Sequence, residues 1–237
     1  MRVAIIGAAL LAGACGGGHA EERDDGPTVQ RGFEVGAFER IALEGSHDVV
    51  VTVGGAPSVR AEGSERAIER LEVVVEDGEL HIRSRQRSGW LSFGSQRSAT
   101  VHVTVPALSG ATVAGSGEIS IARVEGEAFE GHIAGSGELE IADLRVRAAS
   151  FTIGGSGHVR AGGIADRTEV AIGGSGDVDL SGLRSRTAAV RIGGSGNARL
   201  HATETADVRV AGSGNVEVTG GARCSVEKHG SGNVRCG

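Results

Sequence analysis

The stretch AIGGSGDVDL, residues 171–180, carries three glycines, one serine and two aspartates, and at first sight suits a loop that holds a phosphate, a metal or a nucleophile. Its recurrence argues otherwise. Gly-Ser-Gly stands at 115–117, 135–137, 155–157, 174–176, 194–196, 212–214 and 230–232. The central serines, Ser116, Ser136, Ser156, Ser175, Ser195, Ser213 and Ser231, are spaced by 20, 20, 19, 20, 18 and 18 residues. Self-similarity at a period of this size marks a repeat architecture. A catalytic loop is needed once, whereas this tripeptide is built seven times.

Around each corner the sequence alternates. TEVAIGGSGDVDLSGL (168–183), AAVRIGGSGNARLHAT (188–203) and ADVRVAGSGNVEVTGG (206–221) place apolar residues at every second position, as in Val170, Ile172, then Val178 and Leu180. Period-two alternation bounded by glycine signals short strands with one buried face. A strand, a tight corner, a second strand and a variable segment make one coil of a β-solenoid. The expected fold is all-β: a right-handed β-helix of about 18–20-residue coils, stacking Ile172 on Ile192 on Val210. Glycine permits the turn, and the serine hydroxyl is expected to bond backbone or the serine above. An antiparallel sandwich is the rival, but its strands occupy different environments and would not need one tripeptide at every second turn.

Glycine is 41 of 237 residues, aromatics are 3% and tyrosine is absent, so the interior should be narrow and filled by Val, Ile, Leu and Ala. Low proline (3) and regular spacing argue against disorder. A net charge of −6 with mixed signs along the repeats excludes the basic stripe that nucleic acid requires.

The N-terminus reads as an export signal. Met1-Arg2 followed by VAIIGAALLAGA (3–14) is a charged region and a short apolar one, too short to span a bilayer. LAGAC (11–15) resembles the bacterial lipoprotein signal, in which Cys15 becomes a lipidated N-terminus; Ala12 departs from the leucine usual there. Cleavage after GHA (18–20) is the alternative and would discard Cys15. Gly16, rather than aspartate, follows the cysteine and resembles the outer-membrane sorting rule. The domain plan is then a signal over 1–14, a Gly-rich polar tether over 15–32, a β-rich part over 33–108 and the solenoid over 109–237.

The β-rich part carries a degenerate corner, Gly45-Ser46-His47-Asp48, a hairpin at Asp77-Gly78, and a short helix capped by Ser64. It is expected to cap the solenoid's open end. Cys224 and Cys236 flank the last repeat and are expected to form a disulfide, which suits an oxidising compartment; two unpaired thiols are the alternative.

FERIALEGSHDVVVTVGGAPSVRAEG (38–63), LEVVVEDGELHIR (71–83) and the serial GSGE, GSGD and GSGN units together resemble the bacterial family described as putative auto-transporter adhesin, head GIN domain. The resemblance covers nearly all of 37–237. It implies an envelope location, lipoprotein signals and a β-helical body, and it carries over no catalytic residue.

The position after each corner holds Glu118, Glu138, His158, Asp177, Asn197, Asn215 and Asn233, a polar ladder suited to cation or glycan binding or simply to solvated turns. The calcium-binding nonapeptide fails at Val178, where it needs aspartate. Gly-x-Ser-x-Gly fails because His158 and Asp177 stand two after Ser156 and Ser175. No Gly-Lys-Ser/Thr ending and no HExxH pair occurs, so neither cofactor nor metal is expected. RSRQRSGWLSFGSQRS (83–98) stands apart: Arg85, Arg87, Trp90 and Phe93 suit a contact loop, or Trp90 and Phe93 a plug at the solenoid's end. The expected function is a non-catalytic envelope lipoprotein displaying an adhesion or binding module. Its partners would be the membrane, through the N-terminal lipid, and an envelope polysaccharide or surface protein. A β-helix carbohydrate-active enzyme is the alternative, and it needs converging carboxylates near Asp143, Asp166 or Asp179.

Overall fold

The computed structural model describes residues 27–85 and 98–237. Cys15, and Arg87, Trp90 and Phe93 of the arginine-rich stretch, lie outside the described residues.

The repeats fold into a β-solenoid of about six turns. Its body is five long strands, β9 (Glu118–Gly135), β10 (Glu138–Gly155), β11 (His158–Gly174), β12 (Asp177–Gly194) and β13 (Asn197–Gly212), each starting just after one corner and ending in the next. Neighbouring strands pair in parallel, which excludes the antiparallel sandwich. The register sets Ile153 on Ile172, Ile172 on Ile192 and Ile192 on Val210.

The rhythm of burial draws the cross-section. In β10 the inward residues are Leu139, Ile141, Leu144, Val146, Ala149, Phe151 and Ile153. They advance by two along a side and by three between 141 and 144 and between 146 and 149, so the strand bends twice and gives the coil three sides. So narrow a core admits two large rings only where the next coil is small. Phe129 faces Ala149, and Phe151 faces Gly131, whose Cβ would stand 2.7 Å from the Phe151 ring.

At each corner the first glycine takes positive φ, +143° at Gly174, and packs on the carbonyl of the corner beneath, so any side chain there would strike Gly155 O. The second glycine is crowded by a side chain and a carbonyl together: a Cβ on Gly176 would lie 2.6 Å from Ile153 Cγ2 and 2.7 Å from Gly157 O.

The region over 33–108 is not a separate cap. β2 (Arg40–Gly45) and β3 (Asp48–Val53) flank Gly45-Ser46-His47 and pair in parallel with β8 (Gly110–Gly115) and the start of β9. Gly45 stacks on Gly115, so the degenerate corner is a true one and residue 108 marks no boundary in the fold. β6 (Glu79–Ser84) and β7 (Thr100–Val105) pair in parallel with β2 and β3 and form an outermost coil. Capping proper falls to antiparallel additions. β5 (Leu71–Glu76) covers β6, β4 (Ser58–Ser64) covers β7, and β1 (Thr28–Phe33) covers β4. The tether reading, which ran to residue 32, is therefore corrected: residues 28–32 belong to a paired strand. Asp77 and Gly78, with φ of 49° and 76°, form the β5–β6 turn, and Ser64 Oγ caps α1 (Glu65–Arg70) by accepting from the Ala67 N–H at 3.4 Å.

The other end closes with β14 (Asn215–Thr219), β15 (Arg223–His229) and β16 (Val234–Cys236). Cys224 stacks on Ala206 and Cys236 on Val218, both inward positions, and the two are joined in a disulfide that bridges the end of the core. Lys228, in register with inward Val210, turns its ammonium to Gly232 O at 2.9 Å instead of entering the core.

Candidate binding face

On the side that follows each corner, the first and third residues point outward while the second and fourth are core. Stacking turns these positions into two rows. The first runs from Glu118 through Glu138, His158, Asp177 and Asn197 to Asn215. The second runs Glu140, Arg160, Asp179, Arg199, Glu217, Arg235, with charge alternating coil by coil. Between them lies an open groove of 510 Å³ that extends from Glu138 to Arg235. The first row was visible in the sequence. The second was missed, though aligning the repeats at the third residue after each corner displays its alternation.

The first row is partly an amide ladder. Asn197 Nδ2 donates to Asp177 Oδ1 at 2.7 Å, Asn215 Nδ2 to Asn197 Oδ1 at 2.8 Å, and the Asn233 N–H to Asn215 Oδ1 at 3.2 Å. His158 lies 3.2 Å from Asp177. In the second row Arg160 reaches Glu138 and Glu140 at 3.5 and 3.9 Å, and Arg199 reaches Glu217 and Asp179 at 3.8 and 4.0 Å. These are exposed cross-strand pairs, individually weak and readily exchanged for a ligand's groups.

The three aspartates that an enzyme would need do not converge. Asp179 is in the groove, whereas Asp143 and Asp166 are not among its lining residues. Hydrogen bonding from the Ser181 hydroxyl, at 2.6 Å, holds the Asp179 carboxyl below its ordinary value, helped by the Ser181 N–H and by Arg199 and Arg160. Arg145 does the same to Asp143, donating from Nε to both oxygens at 3.1 Å, with Arg123 at 3.0 Å. A glycosidase's general acid requires a shift in the opposite direction. Among the described residues no group of three or more His, Cys, Asp and Glu is placed to hold a metal ion.

The corner serines lie outside this groove and are all exposed. Their backbone, not their hydroxyl, makes the link between coils: the Ser136 and Ser156 N–H groups donate at 2.8 Å to Gly115 O and Gly135 O, and Ser175 donates at 2.9 Å to Gly155 O. Ser195 and Ser213 repeat the contact, Ser116 donates to Gly45 O, and at Ser231 the neighbouring Gly232 N–H takes over toward Gly212 O. The expected ladder of hydroxyls is corrected, because the positive-φ glycine before each serine turns its side chain to solvent. Of the proposed contact residues, Arg85 is described; it is exposed and its Nε lies 3.8 Å from Glu72.

No curated protein matches the chain. Among solved structures it is similar to a putative adhesin from Bacteroides fragilis NCTC 9343, at 21% identity and a TM-score of 0.81, over 89% of this chain and 97% of that one. A putative lipid binding protein from Parabacteroides distasonis ATCC 8503 is also similar, at 21% identity and 0.71, over 90% and 97%. A putative adhesin from the same strain matches at 20% identity and 0.68, over 90% and 98%. At these identities the likeness speaks for the fold. The family model described as putative auto-transporter adhesin, head GIN domain matches residues 37–222, and the chain belongs to that family.

Proposed function

We propose that this chain is a non-catalytic cell-envelope lipoprotein, anchored through Cys15, whose solenoid displays a binding face for an extended polar polymer such as an envelope polysaccharide or a surface protein segment. The observation that carries the reading is the groove between the two outward rows. It runs across successive coils, offers charged groups in each and amides at Asn197, Asn215 and Asn233, and pairs its carboxylates with arginines or histidine from the adjoining coil. Such a surface binds by many modest contacts along a chain. The polar lining does not suit an acyl chain, which needs an apolar pocket, so the fold shared with a protein named as lipid binding does not change the ligand class favoured here.

LAGAC at 11–15 supports the anchor, and Gly16 supports the outer membrane as its destination. Intact-mass analysis of the protein extracted in detergent from its native membranes tests it. A diacylglyceryl-sized excess that disappears in Cys15→Ser supports the anchored module. An unlipidated mass beginning near residue 21 makes it a released protein and overturns the anchor. The binding face is tested with immobilised envelope polysaccharide. Arg160→Ala with Arg199→Ala should weaken retention about tenfold or more without release of reducing ends; retention unchanged by the pair removes the groove from the proposal.

A further inference from the structure

His47 occupies the place that glycine holds at the corner below. In the adjoining coil a Cβ on Gly117 would press against His47 O and stand 2.8 Å from Leu43 Cδ2. His47, 3% exposed, lies between the end of β6 and the start of β7, the strands that stack on β2 and β3 in the outermost coil. The Ala99 N–H donates to Nδ1 at 3.1 Å. Nδ1 is thereby an acceptor, which places the ring proton on Nε2, 2.7 Å from Ser84 Oγ. The two bonds join residue 84, the last of β6, to residue 99, which precedes β7.

We propose that His47 is a proton-sensitive clasp on the outermost coil: neutral, it ties the end of β6 to the start of β7, and protonated, it lets them part. A second proton would sit on Nδ1 and face the Ala99 N–H, turning an acceptor into a donor and leaving both groups unpaired in a buried site. The surroundings oppose that charge. Burial pushes the imidazole below its ordinary 6.5, and Asp48 pulls the other way without prevailing. Asp48 is itself engaged, accepting from Ser98 Oγ at 3.5 Å, and Glu118 is its register partner on β9. β6 brings Arg83, and Arg85 follows its end, both turned to Glu72 at 3.4 and 3.8 Å, and β7 places uncharged Thr100 beside Asp48. The unfolded chain takes the proton first, so the clasp's stabilisation is fully present above 6.5 and is lost as pH falls through that value toward the lowered folded one.

Site-resolved NMR on the full chain tests this. Ring nitrogen shifts should show the Nε2–H tautomer at neutral pH and a His47 midpoint below 6.5. Protection of the Ala99 amide from exchange, corrected for intrinsic rate, should fall about tenfold through the same midpoint. His47→Gln, which accepts and donates without titrating, should hold Ala99 protection level. An Nδ1–H tautomer, a midpoint at or above 6.5, or the same fall in His47→Gln would overturn the clasp. Should that variant not fold, the wild type decides alone: His81 and His102 report at their own resonances, and Ala99 opening that follows theirs rather than His47's refutes the proposal.

Discussion

A Cβ on Gly174 has nowhere to go. The residue holds φ at +143° and lies against Gly155 O, a backbone atom fixed by its own coil, so neither torsion nor neighbour can yield. Gly174→Ala should cost about 1–3 kcal/mol from the strained backbone alone, and the clash with Gly155 O adds to it. Ser175 beside it contributes through an N–H that every residue but proline possesses. Ser175→Ala should therefore change stability by no more than about 0.5 kcal/mol, as exposed positions generally do. Urea denaturation of the two variants checks both, and a serine variant as damaging as the glycine one would restore the hydroxyl to a structural role.

What the sequence conveyed divides along the same line. The corners were legible because the constraint is local: positive φ and close backbone approach leave glycine, and Val170 and Ile172 declare their inward face by alternation alone. Coil order was not legible, because it departs from chain order. β6 and β7 follow β2 and β3 in sequence yet stack outside them, a non-local pairing that no period announces. His47 added a disguise by replacing the corner's second glycine. The binding face was half legible, since its first row adjoins the conspicuous tripeptide while its second lies three residues beyond it. At the closing end, coil stacking gives Cys224 and Cys236 the inward positions of Ala206 and Val218, a convergence their separation of 12 could only permit. On the loop-entropy model that bond is worth about 3 kcal/mol. Because each coil touches mainly its neighbours, the loss should stay local. Reduction, or Cys224→Ser with Cys236→Ser, should raise amide exchange across β14, β15 and β16 while β9 to β11 keep their protection; uniform loss would show that the terminal coil holds the whole stack.

The same nearest-neighbour logic governs the molecule entire. Residues 197–214 form one complete coil bounded by identical joints: Gly196 precedes Asn197, and Gly214 precedes Asn215. Excising them joins Gly196 to Asn215 and recreates the local sequence of the original corner. β12 then meets β14 and β15, with Ala188 on Cys224 and Val190 on Val226, while the disulfide end and the Thr168–Ser185 buried hydroxyl pair at 2.6 Å are retained. The Arg186–Glu204 ion pair is lost, an exposed contact of little weight. If stability is a sum over coils and their interfaces, the shortened chain should fold with an unchanged β spectrum and a denaturant slope smaller by about a tenth, in proportion to the surface removed. The groove would shorten by one coil and lose Asn197 and Arg199, so polymer retention should fall while folding persists. A shortened chain that cannot fold would show that the coils are not interchangeable units, and that the seven corners share a sequence without sharing their energetics.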